Sequence, residues 1–168
     1  MHEATTIKGR ITWRLTAGDG SLVREGEVEN LVTTIGDRMY AERGGAVSGA
    51  PAAPTGMKLG TGGGAPAKTG SGAALTTYLS NSHQGFESGY PQGSAAGSAR
   101  RVSYSCVYGP GKGTSGSPVT EVVLVNETLT DATSATGATI ARALLSGIGS
   151  KGADQTLSIT WTHDLLGA

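Results

Sequence analysis

Between residues 7 and 15 the chain alternates without a break. Ile7, Gly9, Ile11, Trp13 and Leu15 fall on one side, and Lys8, Arg10, Thr12 and Arg14 on the other. Side chains repeat every two residues only in an extended strand, so this segment predicts a strand with one face covered and one face wet. The same period returns over residues 100–108, where Val102, Tyr104, Cys106 and Tyr108 oppose Arg101, Ser103 and Ser105. Residues 119–126 differ: Glu121 sits among Val119, Val122, Val123, Leu124 and Val125, the pattern of a strand covered on both faces. Residues 139–146 and 156–163 complete the strands of the second half.

Turn chemistry connects these runs. Asp19-Gly20 tolerates the positive φ angles of a tight hairpin and returns the chain into a strand over residues 21–28. Asn30 is a helix cap for residues 31–42, with Leu31, Ile35 and Met39 on one side and Gly44-Gly45 as the stop. Residues 44–74 have loop composition, broken by one short strand at Met57-Lys58-Leu59-Gly60 and closed by a short helix over 73–79. Residues 86–97 form a second irregular stretch, and residues 126–137 a polar loop. Strands outnumber helices, and β and α segments do not alternate. The expectation is a mainly β chain: an antiparallel β-sandwich with one or two short helices. It would be a single domain over residues 1–168, with extended Gly/Ala-rich loops at about 44–74 and 85–99.

Composition narrows the function. Gly, Ala, Ser and Thr make up 86 of the 168 residues, and 13 basic residues balance 13 acidic ones. Zero formal charge argues against a nucleic-acid partner, which would demand a basic excess. A charge-poor surface is poorly guarded against self-association and suits a subunit of an assembly. The longest apolar run, Val122 to Val125, is far too short for a transmembrane helix, so no membrane partner is expected. The opening Met1-His2-Glu3-Ala4-Thr5-Thr6 has no basic segment leading into an apolar one, and the expectation is synthesis in a cytoplasm without a secretory leader.

Candidate chemistry is sparse. Gly62-Gly63-Gly64-Ala65-Pro66-Ala67-Lys68-Thr69 approaches a phosphate-binding loop, but Pro66 lacks an N–H donor and Ala67 replaces the glycine before the lysine. His2, His83, His163 and Cys106 stand singly, without the short spacings that bring metal ligands together. Cys106 alternates with Val102 and Tyr104 and reads as a small buried side chain. Gly70-Ser71-Gly72 lacks the spacing of a nucleophile elbow. His163-Asp164 reads as a strand terminus, Arg100-Arg101 as a solvated strand edge, and Asn126-Glu127-Thr128 as a chance glycosylation match. The sequence assigns no catalytic, cofactor-binding or metal-ligating residue. The expectation is a protein that is not an enzyme and holds no cofactor.

Three passages carry a likeness. Asn30-Leu31-Val32-Thr33-Thr34-Ile35-Gly36 reads N-x-V-T-x-x-G at the entry to the helix. Met57-Lys58-Leu59-Gly60-Thr61-Gly62-Gly63-Gly64-Ala65-Pro66, continuing to Ala74-Leu75, reads as a strand, Gly-Thr-Gly, Pro, then Leu. Glu121, Ala141-Arg142 and Leu157-Ser158-Ile159-Thr160-Trp161-Thr162 close the series. In this order, over about residues 28–163, the chain resembles small virion structural proteins of tailed bacteriophages, in particular β-sandwich subunits of the tail, collar or fibre region. The Gly-rich insertions at 85–99 and 108–117 are longer than in that family. The resemblance implies a non-enzymatic structural subunit of the virion, made and assembled in the host cytoplasm. Its partners would be copies of itself, commonly as trimers, and other virion proteins. The alternatives are a capsid-decorating cement protein and a carbohydrate-binding module that touches a host-surface glycan. Tyr78, Tyr90, Tyr104, Tyr108, Trp13 and Trp161 would supply stacking faces for the latter, although the alternating apolar neighbours of Trp13 and Trp161 place both in the core.

Overall fold

The alternating segments pair with one another. A computed structural model describes residues 6–166. In chain order the strands are β1 (Thr6–Thr16), β2 (Leu22–Val32), β3 (Gly56–Gly60), β4 (Gln84–Gly85), β5 (Gln92–Ala96), β6 (Ala99–Tyr108), β7 (Glu121–Val125), β8 (Thr139–Leu144) and β9 (Thr156–Leu166); helix α1 (Thr34–Gly44) follows β2. All are antiparallel and lie in the order β4-β3-β7-β8-β2-β1-β9-β6-β5, one sheet curled into a half-barrel. The mainly β, antiparallel expectation is met in that form. Beyond β4 the chain reaches the far side of the curl, where the Glu87 N–H donates to Ser105 O at 2.9 Å. Beside it the Cys106 thiol donates to the carbonyls of Gln84 and Gly85, each at 3.4 Å.

The core fills the inside of the curl with the residues that the alternation marked. Ile11 lies opposite Trp161, Trp13 opposite Ile159 and Leu15 opposite Leu157, and β6 continues these rows with Tyr104, Cys106 and Tyr108. All of these side chains are buried, Trp161 completely and Trp13 to 5% exposure. Gly26 makes room for the indole of its cross-strand partner: a Cβ there would lie 2.6 Å from the Trp13 ring. On β7, Val122 and Leu124 face this core, whereas Val123 and Val125 pack on the other side with Leu75 and Leu129. The strand is covered on both faces, as its apolar run required.

Three local expectations change. The helix begins at Thr34 and not at Leu31, because Leu31 and Val32 pair with Arg142 and Ala141 of β8 and are held extended. Thr33 then caps it, accepting from Gly36 N at 3.1 Å, and Asn30 is free to turn elsewhere. Gly36 lets the helix lie against β8, since a Cβ there would stand 2.2 Å from Ile140 O. Residues 73–79 are not a helix: a 3-10 turn spans Gly70–Ala73, and the amides of Thr76 and Thr77 bond to a carboxylate described below. The stretch at 85–99 is not wholly irregular, because β5 forms a hairpin with β6 around Gly97, whose φ is +61°. Among the described residues no helix is long and apolar enough to cross a membrane.

Truncating the central tryptophan tests this packing. Trp161→Ala removes the largest fully buried side chain and is expected to cost roughly 3–5 kcal/mol in urea unfolding, as large core truncations do. A loss below about 1 kcal/mol would mean that the rows across β1, β9 and β6 do not form the core.

Candidate functional site

Two polar clusters lie inside the molecule, and sequence reasoning reached only part of each. The first begins with Glu121, the one polar residue of β7. It faces away from the main core, as does Arg142 of β8, and both side chains have 0% exposure. Arg142 Nη2 donates to Glu121 Oε2 at 2.6 Å. The same guanidinium holds Gly64 O at 2.6 Å, Gly72 O at 2.9 Å and Thr76 Oγ1 at 3.1 Å. Both carboxylate oxygens of Glu121 are occupied, Oε2 by Thr76 N at 2.9 Å and Oε1 by Thr77 N at 3.3 Å. Thr120 adds a bond from its hydroxyl to Gly62 O. Together these groups fasten the Gly-rich segment 62–77 over the outer face of β7 and β8.

Neighbouring charges extend the layer. Lys58 lies beside Val123 in the ladder, as Arg142 does, and its side chain is also fully buried. Its ammonium donates to Glu127 Oε1 at 2.7 Å and to Ala132 O at 2.8 Å, and stands 5.9 Å from the centre of the Tyr78 ring. Asp131 accepts from Tyr78 and from the Asn81 amide, so residues 126–132 are tied to the same face. Lys151 closes loops elsewhere in the same manner, donating to Gly109 O at 3.0 Å and Gln155 O at 2.7 Å. These charged groups are bonded to the chain itself. They act as clamps on backbone that has few apolar side chains to hold it, chiefly Leu75 and Leu129.

The second cluster surrounds His163. Its Nε2 accepts from Trp161 Nε1 at 3.0 Å and from Asn30 Nδ2 at 3.2 Å, which assigns the ring proton to Nδ1. Nδ1 then donates to the Tyr40 hydroxyl at 2.6 Å, and Tyr40 bonds onward to Tyr104 at 3.0 Å. Gly9 makes this possible. It lies between Asn30 and His163 in the ladder, and a Cβ there would fall 1.7 Å from Asn30 Oδ1, so only a glycine lets the amide cross the strand. Burial depresses the His163 pKa to about 4 and raises those of Tyr40 and Tyr104. Outside the cluster lies a cleft of about 660 Å³, lined by Ile7, Asn30, Val32, Tyr40 and Leu165, with Asp37 and Lys68 at its edge.

The residues singled out in the sequence are mostly dispersed. Lys68 of the phosphate-loop look-alike pairs with Asp37 in an exposed ion pair. The Ala67 amide donates to Gly72 O, so this N–H is not offered to a phosphate. Cys106 is buried and its thiol is pushed up to about 12 by burial. His83 stands 4.0 Å from Asp131, and His2 lies outside the described residues. Among the described residues no three His, Cys, Asp or Glu side chains gather as metal ligands. Two readings need correction. His163 is not at a strand terminus but well inside β9, in the same alternation as Leu157, Ile159 and Trp161. Arg101 is not at a sheet edge, because β5 lies outside β6; it forms a two-bond pair with Asp164 at 2.6 and 2.8 Å.

Protonating His163 would break its bonds from Trp161 and Asn30, which gives a pH test. A histidine whose folded pKa is depressed stabilises the fold fully above its unfolded value near 6.5 and less as pH falls toward 4. Over that window the wild type should lose roughly 3 kcal/mol of unfolding free energy. His163→Gln should flatten the slope between pH 6.5 and 4, leaving carboxylate effects at lower pH. Equal slopes in both proteins would show that His163 is not held neutral.

The chain matches no family model, no curated protein and no solved structure.

Proposed function

We propose that the chain is a non-enzymatic structural subunit of a tailed-phage virion. Its role would be protein–protein assembly in the tail, collar or fibre-attachment region, with copies of itself, as trimers by the family resemblance, and with other virion proteins. It would be located in the virion and assembled in the host cytoplasm. In this reading the two arms of the half-barrel serve as the facing layers of a sandwich. The observation that carries the proposal is the use of buried charge. Glu121, Arg142 and Lys58 bond to loop segments 62–77 and 126–132, holding Gly- and Ala-rich chain in place as an outer layer. A subunit that presents shaped loops to neighbours needs such fastening, because the loops have little apolar area with which to offset roughly 1–2 kcal/mol of backbone entropy per residue. The sequence series from Asn30 to Trp161 supports the same reading.

A capsid-decorating role uses the same chemistry at a different place in the particle. The glycan-binding alternative loses four of its six stacking faces, since Trp13, Trp161, Tyr104 and Tyr108 are all buried. Electron cryomicroscopy of the intact particle tests the proposal. The half-barrel is expected in density at the tail, collar or fibre junction, and amides in the exposed segment 45–55 should become protected from exchange on assembly. Density on the head shell would transfer the protein to the cement role, and a particle lacking the protein would refute both.

A further inference from the structure

β5 ends the sheet. Its residues pair with β6 from Gln92 opposite Ser103 to Ala96 opposite Ala99, so one side of its backbone is filled and the other side has no strand among the described residues. Gln92 to Ala95 are exposed and Ala96 is half-buried. An open edge is a template for another strand, and proteins guard such edges with charge, proline, a bulge or a covering segment. Between Gln92 and Ala96 there is no charge and no proline, and the ladder with β6 has no register shift.

The other open lengths of the sheet are guarded. β2 pairs with β8 only at Leu31 and Val32, and the rest of that edge carries Arg24, Glu25, Glu27 and Glu29. Arg24 is further tied to the carbonyls of Gly147 and Ile148. At the far end β4 has two residues, and the chain after it turns to bond with Ser105 of β6. Among the described residues, β5 is therefore the one unguarded edge of each copy.

We propose that this edge joins two copies of the chain about a two-fold axis, β5 pairing antiparallel with β5 of the second copy. Centred on Ser94, the pairing uses all five residues: Gln92 faces the partner's Ala96, Gly93 the partner's Ala95, and Ser94 the partner's Ser94. No like charges meet, and no side chain longer than Gln has to be accommodated. A two-fold contact uses the same edge of both copies and leaves none of it over, so it closes at two copies and does not extend into a fibre. Five residue pairs along two strands bury well under the roughly 1,200 Å² of a standard stable interface, so the isolated dimer is weak and forms at high concentration. The inference rests on the reading of the chain as an assembly subunit, where neighbouring copies supply that concentration.

Cross-linking tests it. Directly opposed residues of antiparallel strands lie within disulfide reach, so Ser94→Cys places two thiols at the axis. Ser98→Cys puts a second exposed thiol in the hairpin turn, off the axis, and the native Cys106 is buried. At about 0.5 mM protein under mild oxidation, Ser94→Cys should form covalent dimers roughly ten-fold faster than Ser98→Cys. In sedimentation at the same concentration, wild type should show a pairwise association step that Ser94→Lys, which sets like charges across the axis, lacks, with an unchanged circular dichroism spectrum. Equal cross-linking rates would overturn the β5 contact. A pairwise step that survives Ser94→Lys would overturn it too, while leaving assembly through another surface intact. A wild type that stays monomeric at that concentration would also overturn it, and the virion reading would still be judged separately by particle density.

Discussion

A glutamate and an arginine without solvent exposure are costly to bury, and between Glu121 and Arg142 that cost is offset by directional bonds on both sides. Their own contact is one of several: together they also hold two glycine carbonyls, a threonine hydroxyl and two backbone amides of the segment that passes over them. Without that segment Val123 and Val125 would lose Leu75 from their outer cover, leaving Tyr78 and Leu129 as their apolar neighbours on that side. The glycines follow from this arrangement. A Cβ at Gly62 would stand 2.0 Å from Glu121 Oε1 and one at Gly64 2.7 Å from Thr76 Oγ1, so the chain can approach the pair only where it lacks side chains. Composition that reads as flexible loop in isolation is here the condition for close packing against a buried charge.

Strands with a two-residue period were legible because burial on one face leaves its mark in every second residue. β1, β6 and β9 carry that mark, and the positions of Trp13 and Trp161 followed from it. Glu121 was visible as the polar residue in an apolar run, but its partner depends on register: β7 and β8 must pair with Glu121 opposite Leu144 and Val123 opposite Arg142 before the two charges meet. No local signal contains that. The start of α1 was misplaced for a related reason, since pairing with β8 keeps Leu31 and Val32 extended against their local pattern. β5 was missed because its Gly, Ser and Ala side chains bury nothing, and only backbone pairing defines it. The His163 cluster needs Asn30, Tyr40, Tyr104 and Trp161 from four separate segments. Its one sequence trace was the histidine's place in the β9 alternation, together with a glycine in the matching position of β1.

The two clusters divide the work of holding the fold. The His163 network joins α1 to the strands of the main core through neutral hydrogen bonds, and the Glu121–Arg142 pair joins the loop layer to the sheet through charge. The proposed assembly role draws on the second division. Loops fixed by charged clamps offer a defined outer shape without requiring apolar patches, and the unguarded β5 edge offers backbone pairing instead of side-chain burial.

The charge pair, and not the loop's own structure, holds residues 62–77 on the sheet. Amide exchange at Thr76 and Thr77 in the wild type and in Glu121→Gln tests it most directly. Both amides should be protected in the wild type and lose at least about 3 kcal/mol of protection in Glu121→Gln, the cost of breaking a buried pair. The amides of β1 and β9 should remain slow to exchange. Fast exchange at Thr76 and Thr77 in the wild type, or undiminished protection in Glu121→Gln, would contradict it.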